Sequence, residues 1–299
     1  MGEFDYIRWL RTQVRSTDRI ELGIGDDCAV VAVPEERVLI TTDMLMEGIH
    51  FRLAEAGPRR VGRKALAVNL SDIAAMAGRP VAAVVSLALP RDGAGKLAEE
   101  LLLGMQPLAD DFATAIVGGD TNAWPGPLVI SITVIGEPGP SGPVLRSGAK
   151  PGDWLLVTGP LGGSRGTKEY DFTPRIQEAR ALALLCNVHA MIDLSDGLAG
   201  DLGHVCTESG VGAVLFAERI PIAAAATGDR LRRALTDGED FELAFAVSPA
   251  DGRLLIDKQP VPGVTLVHVG EFRAERGIVI EEGGTRRPLE AKGYVHEFE

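Results

Sequence analysis

Short acidic side chains flanked by glycine or hydroxyl residues recur along this 299-residue chain in five separate segments. Asp26 and Asp27 stand in G-I-G-D-D-C-A-V, and Asp43 follows Thr41 and Thr42 in T-T-D-M-L-M-E-G-I-H-F. Asp72 ends N-L-S-D, Asp120 sits in G-G-D-T-N, and Asp193 and Asp196 bracket D-L-S-D-G. Oxygen-only donors of this kind suit magnesium, which takes a few carboxylates and completes its octahedron with water and substrate phosphate. Aspartates facing a triphosphate without such a cation would simply repel it. The glycines beside them, Gly25, Gly118, Gly119 and Gly197, let backbone N–H groups approach phosphate oxygens. Taken singly, D-G or G-G-D-T is more often a turn, and Asp72 or Asp196 a helix cap. It is the fivefold recurrence at the ends of apolar segments that points to one metal–phosphate site.

Those segments must be positioned by a mixture of strands and helices. β-Branched runs predict strands over residues 29–33 and 38–42, with Asp43 just beyond the second. Residues 61–76 predict a helix ending before Gly78 and Pro80. A buried strand over 81–89, an amphipathic helix over 93–112 and strands over 115–117 and 128–135 follow, which sets Asp120 after a strand. Residues 137–153 are the densest proline and glycine stretch and mark a boundary. The expected organisation is a domain over 1–137, a linker over 138–153 and a second domain over 154–299. In the second, strands are expected over 154–158, 190–192, 213–216, 242–247 and 265–269, and helices over 176–185 and 198–208. Both domains are therefore mixed, an α/β (α+β) fold.

Composition narrows the partners. A formal net charge of −12 argues against binding to nucleic acid or anionic membrane. Three scattered cysteines, Cys28, Cys186 and Cys206, form neither a disulfide framework nor a zinc knuckle, so a cytoplasmic location is expected. The longest apolar stretch, residues 81–89, is too short to span a bilayer. No G-x-x-x-x-G-K-[ST], strand-linked G-x-G-x-x-G or H-R-D with D-F-G is present, which disfavours P-loop and protein kinases.

In order along the chain, G-E-F at 2–4, E-L-G-I-G-D-D-C-A at 21–29, T-T-D at 41–43, G-I-H-F at 48–51 and A-V-N-L-S-D-I-A-A-M at 67–76 resemble thiamine-monophosphate kinase. So do G-G-D-T at 118–121, R-S-G-A-K-P-G-D at 146–153, I-D-L-S-D-G-L at 192–198 and G-E-D-F-E-L at 238–243. The resemblance implies the fold of aminoimidazole ribonucleotide synthetase and selenophosphate synthetase, with an N-terminal sheet that pairs across a homodimer. It implies ATP as co-substrate, several magnesium ions and thiamine monophosphate as acceptor. By motif, Asp27, Thr41, Thr42, Asp43, Asp72, Asp120, Asp193 and Asp196 would hold metal. Gly119, Arg146 and Ser195 would contact nucleotide, and His50, Glu239 and Tyr294 the acceptor. Asp43, Asp72, Asp120 and Arg146 would carry the catalysis. The chain departs from the pattern at Gly163, where the family commonly has an aspartate, and in a helix over 93–112 without tyrosine.

The implied nucleophile is a phosphate oxygen, already anionic near neutral pH because a phosphate monoester has its second pKa at about 6. Neutralising charge and aligning two anions is then the main task, which suits aspartate-held magnesium better than a histidine base. The alternatives are another ATP-using synthetase of the same fold or a nucleotide-sensing module without catalysis. Among the synthetases, selenophosphate synthetase would resemble its family by a reactive N-terminal cysteine or selenocysteine, which the sequence lacks; the sensing module is disfavoured by the His50 and Glu239 motifs.

Overall fold

The computed structural model describes residues 20–22, 26–33, 36–291 and 293; Gly25, the G-E-F motif at 2–4 and Tyr294 lie outside them. The first sheet is built from β1 (Ile20–Leu22), β2 (Ala29–Val33), β3 (Glu36–Met46), β4 (Arg79–Pro90), β5 (Ala115–Trp124) and β6 (Val129–Glu137), in the order β1-β2-β3-β6-β4-β5. All neighbours are antiparallel except β4 and β5. That one parallel pair needs a crossover. Helix α3 (Ala94–Asp111) supplies it, after α1 (Leu53–Ala56) and α2 (Pro58–Ala75) between β3 and β4.

Two strands run further than their sequence suggests. β3 continues through Asp43 to Met46 because β6 pairs with it along that length, Asp43 opposite Ile132 and Met46 opposite Val129. β5 continues through the glycine pair to Trp124 against β4, with Asp120 opposite Ser86. Asp43 and Asp120 thus lie within strands rather than after them. A ladder partner fixes main-chain geometry irrespective of weak local propensity.

The second sheet contains β7 (Trp154–Val157), β8 (Ala190–Asp193), β9 (Gly212–Phe216), β10 (Leu243–Val247), β11 (Val267–Arg273), β12 (Gly277–Glu282) and β13 (Thr285–Leu289). Their order is β13-β12-β9-β11-β7-β10-β8, antiparallel apart from β9 with β12. Helices α4 (Ile176–Leu185), α5 (Leu198–Ser209), α6 (Arg230–Thr236) and α7 (Pro249–Lys258) complete this half. No described helix is long and apolar enough to cross a membrane.

Helix α2 sits between the halves, against β3 and β6 on one side and α4 and β8 on the other. Its first turn is exposed, with Arg59 and Arg60 paired to Glu100 and Asp171, and from Val61 onward it is buried on nearly every side. Leu66, Leu70 and Ile73 are wholly buried in it, each contributing about 1.5–3 kcal/mol of transfer free energy. Gly62 and Gly104 let α2 and α3 touch backbone to backbone; a Cβ at either would enter the other helix's main chain at Leu101 or Arg59. In the second sheet, Leu156, Met191 and Phe245 face this shared core while Leu155, Ile192 and Ala244 face the core beneath α5. That is the period-2 alternation of strands packed on both sides.

Candidate active site

The end of α2 meets the end of β8, and the aspartates meet there. Asp72 lies in the last turn of α2, Asp193 is the last residue of β8, and Asp27 lies in the bend before β2. One carboxylate oxygen of each lies within 4.8 Å of the others. Neighbouring side chains hold them in place. Ser71 Oγ donates to Asp193 Oδ2 at 2.6 Å in a buried bond, and Thr41 Oγ1 donates to Asp72 Oδ2. Asn69 Oδ1 accepts from the Asp43 N–H at 3.1 Å. Arg146 donates through Nε to Asp27 Oδ2 at 2.8 Å and through its backbone N–H to Asp26 Oδ2 at 3.0 Å. Asp27 Oδ1 is buried with no hydrogen-bond donor on it among the described residues.

Such a cluster resists ionisation when only protein surrounds it. Burial, then repulsion from Asp43, Asp193 and Asp27, pushes the Asp72 carboxyl well above the usual carboxylate range. Asp193 is raised likewise, by burial and then by Asp27. Asp43 is pushed up to about 6 by burial, Asp27 and Glu239, and Asp26 to about 7 by burial and Asp27. Burial works against the Arg146 cation, but Asp27, Asp26 and Asp193 more than offset it and hold the guanidinium charged. One arginine does not balance so many carboxylates. The donor set, all oxygen and with a bare Asp27 oxygen, fits a hard divalent cation.

A cavity of about 290 Å³ opens on this cluster, lined by Asp43, Asp72, Asp193, Ser195 and Asp196 together with His50, Lys64, Glu239 and Phe241. His50 Nδ1 accepts from the Met46 N–H at 3.0 Å, which fixes the turn after β3. The loop before β10 carries φ of +70° at Gly238, +61° at Glu239 and +48° at Phe241. Left-handed backbone at non-glycine residues costs of order 1–3 kcal/mol each and persists only where surroundings enforce it. Here the Glu239 and Phe241 N–H groups donate to Ser195 O at 2.7 Å and Leu194 O at 2.8 Å, and Phe172 stacks on Phe241 at 4.0 Å. The strained loop therefore presents Glu239 beside the D-L-S-D-G turn. That turn is itself pinned by Asp201, whose Oδ2 accepts from the N–H groups of Asp196 and Gly197.

Several site residues were not anticipated from sequence: Lys64, Arg165 and Glu169, which line the cavity, and Asp201. Sequence did not set Lys64 apart from Arg59, Arg60 and Arg63 in the same helix, of which the first two are exposed. Others are not gathered here. Strand alternation turns Thr42 away from Thr41 and Asp43; its hydroxyl bonds Ile132 O and Thr133 on the outward face. Asp120 shares that face, in the row Met44, Ser131, Ser86, Asp120, whereas Asp43 stands in the row Ile132, Val85, Gly119. Three strand spacings, about 14 Å, separate β3 from β5. Asp120 is exposed, and among the described residues its carboxylate accepts from Thr121 N–H and Asn122 Nδ2. At Gly163, φ is +75° and a Cβ would come within 2.6 Å of Ala226 N, so this loop is built for glycine.

Comparison with known proteins shows the family of this fold. The family model described as AIR synthase related protein matches in both parts, the N-terminal domain over residues 25–137 and the C-terminal domain over 150–281. A thiamine-monophosphate kinase of Rhodopirellula baltica is 39% identical over 291 residues, covering 92% of this chain and 91% of its own. That of Escherichia coli is 36% identical over 324 residues, covering 99% and 98%. The solved structure of AaThiL complexed with AMPPCP and TMP is similar with a TM-score of 0.85 at 28% identity, covering 99% of this chain and 97% of that one. The hydrogenase maturation protein HypE of E. coli, at 18% identity and a TM-score of 0.74 over 96% of each chain, shares the fold. With matched motifs along its length and relatives above 30% identity over nearly all of it, the chain belongs to the thiamine-monophosphate kinase family.

Proposed function

We propose that this chain is an ATP-dependent kinase that transfers the γ-phosphoryl group of ATP to thiamine monophosphate, giving thiamine diphosphate and ADP. The observation that carries the reading is the meeting of Asp27, Asp72 and Asp193 at a cavity whose wall also contains His50 and Glu239. Asp27, Asp43, Asp72 and Asp193, with Asp196 and the Thr41 hydroxyl beside them, are the residues that would hold magnesium. Bound magnesium supplies the positive charge that lets two anionic phosphates approach and stabilises charge on the transferring group.

The remaining work falls to the chain itself. Arg146 steadies Asp27 and keeps one positive charge beside the carboxylates. Ser195, which lines the cavity in the turn that Asp201 holds, would contact the nucleotide. His50 and Glu239 orient the acceptor, and Glu239 offers a carboxylate to the cationic thiazolium ring. No general base is needed, since the attacking phosphate oxygen is already ionised.

Asp120 and Thr42, on the outward face, enter through a second copy. The outward face of the first sheet and its edge strand β5 expose Val117, Trp124 and Met44, apolar side chains that a second copy would cover. A homodimer built on this sheet covers that face and brings Asp120 of one copy to the nucleotide of the other. Residues 1–137 then serve metal binding and dimerisation, 138–153 link, and 154–299 complete the cleft. A cytoplasmic setting without nucleic-acid or membrane partners accords with the net charge of −12 and with Cys28, Cys186 and Cys206 being free. Purified protein with ATP, magnesium and thiamine monophosphate should yield thiamine diphosphate by mass; ADP release that is the same without the acceptor would refute transfer.

A further inference from the structure

Lys64 is among the largest side chains wholly buried in the protein, at 1% exposure, and its ammonium lies under the acceptor side of the cavity. It donates to His50 O at 2.8 Å, pairs with Glu239 Oε2 at 2.7 Å and lies 3.7 Å from Glu169 Oε2. The Tyr170 ring is 5.1 Å away on another side. Lys64 and His50 belong to the first half of the chain, Glu239, Glu169 and Tyr170 to the second. A single ammonium therefore ties the turn after β3, helix α2 and two loops of the second half at one point.

A stability role alone explains this poorly. A buried ion pair is at best a weak stabiliser relative to well-packed apolar groups, because two charges must be desolvated. It does fix where its partners stand. The partners here are the two residues read as holding the acceptor, His50 through its carbonyl and Glu239 through one oxygen. Arg165, which lines the same cavity and acts electrostatically on Glu239, is the other cation facing that carboxylate among the described residues.

We infer that Lys64 is a positioning residue for the acceptor, setting the His50 turn and the Glu239 carboxylate in the geometry that binds a cationic azolium phosphate. The inference rests on reading this cavity as the thiamine monophosphate site. It predicts a loss confined to one substrate, since Lys64 touches none of the aspartates that gather at Asp72.

Calorimetric titration of the full-length protein with thiamine monophosphate, and separately with AMPPCP and magnesium, tests this without turnover. Lys64→Met should weaken thiamine monophosphate binding at least about tenfold, ~1.4 kcal/mol, and leave AMPPCP within about twofold. Wild-type affinity for thiamine monophosphate in folded Lys64→Met would mean a merely structural lysine and overturn the inference. Should that variant not fold, Lys64→Gln keeps a donor for His50 O without the charge; a tenfold loss supports the inference and wild-type affinity overturns it. Wild-type protein that binds thiamine monophosphate but forms no thiamine diphosphate would sink the transfer reading and leave this inference standing. Wild-type protein that does not bind it sinks the acceptor reading and this inference together.

Discussion

Ser71 in the last turns of α2 donates a buried hydrogen bond of 2.6 Å to Asp193 at the end of β8, so the two halves of the chain share a bond inside the carboxylate cluster itself. Ser71→Ala removes that bond between the halves. Leaving that buried carboxyl oxygen without its donor should lower stability by about 1–3 kcal/mol. The magnesium concentration for half-maximal activity should rise with it, while KM for thiamine monophosphate stays unchanged. Urea melts and a magnesium titration of the rate check both.

Asp72→Asn separates stability from activity. Asp72 is held by burial and like charges in a state that resists ionisation, so removing its charge should leave the metal-free melting temperature equal to or above that of wild type. Turnover should fall by about 100-fold or more, as expected for loss of a metal-neutralised phosphate contact. Asp110→Asn, at an exposed position where Gln106 Nε2 is its partner, serves as the control and should match wild type in both. A helix-cap role for Asp72 would show the reverse pattern, lower stability with normal turnover.

The metal-free protein should lose stability as pH rises. Asp43 and Asp26 have folded-state pKa values of about 6 and about 7, above the ordinary carboxylate value. Between about 4 and those values the folded state binds protons that the unfolded state does not. Stability therefore declines with increasing pH, each such group contributing up to about 1.4 kcal/mol for every pH unit crossed in that window. With EDTA present, the melting temperature should be higher at pH 5.5 than at pH 7.5 from this cluster. Saturating magnesium should abolish the difference, and apparent magnesium affinity should fall as pH drops through the same range. A metal-free melting temperature that rises with pH over this window contradicts the assignment.

Much of the site was legible because its motifs are local. N-L-S-D and D-L-S-D-G each name the residues that meet, and hydrophobic periodicity located the helix and strand that carry them. What sequence left hidden is long-range. That α2 fills the space between two sheets is a tertiary fact, and with it goes the role of Lys64. Adjacent Thr41 and Thr42 look equivalent in T-T-D, yet strand alternation sends them to opposite faces, a consequence of β3 running on to Met46. Asp120 reads like the other aspartates and only sheet order separates it from them. Strained φ values at Glu239 and Phe241 leave no mark in the sequence, since neither residue is one that favours such backbone.

Asp120 provides a test of the dimer. If it serves the partner's site, mixing Asp72→Asn with Asp120→Asn protein and allowing subunits to exchange creates heterodimers with one intact site. With random pairing, half the dimers are mixed and one site in two is whole, so about a quarter of wild-type activity should return from two inactive parents. If Asp120 acts within its own chain, every site in the mixture carries a defect and nothing returns.

The central claim is that the aspartate cluster drives transfer to a phosphate acceptor. Its most direct measurement follows ATP carrying labelled γ-phosphate with purified protein, thiamine monophosphate and magnesium, and quantifies labelled thiamine diphosphate against ADP. The account predicts one labelled thiamine diphosphate per ADP, no product without magnesium and a rate about 100-fold or more lower from Asp72→Asn. Label appearing as free phosphate, at a rate that does not depend on thiamine monophosphate, would contradict it.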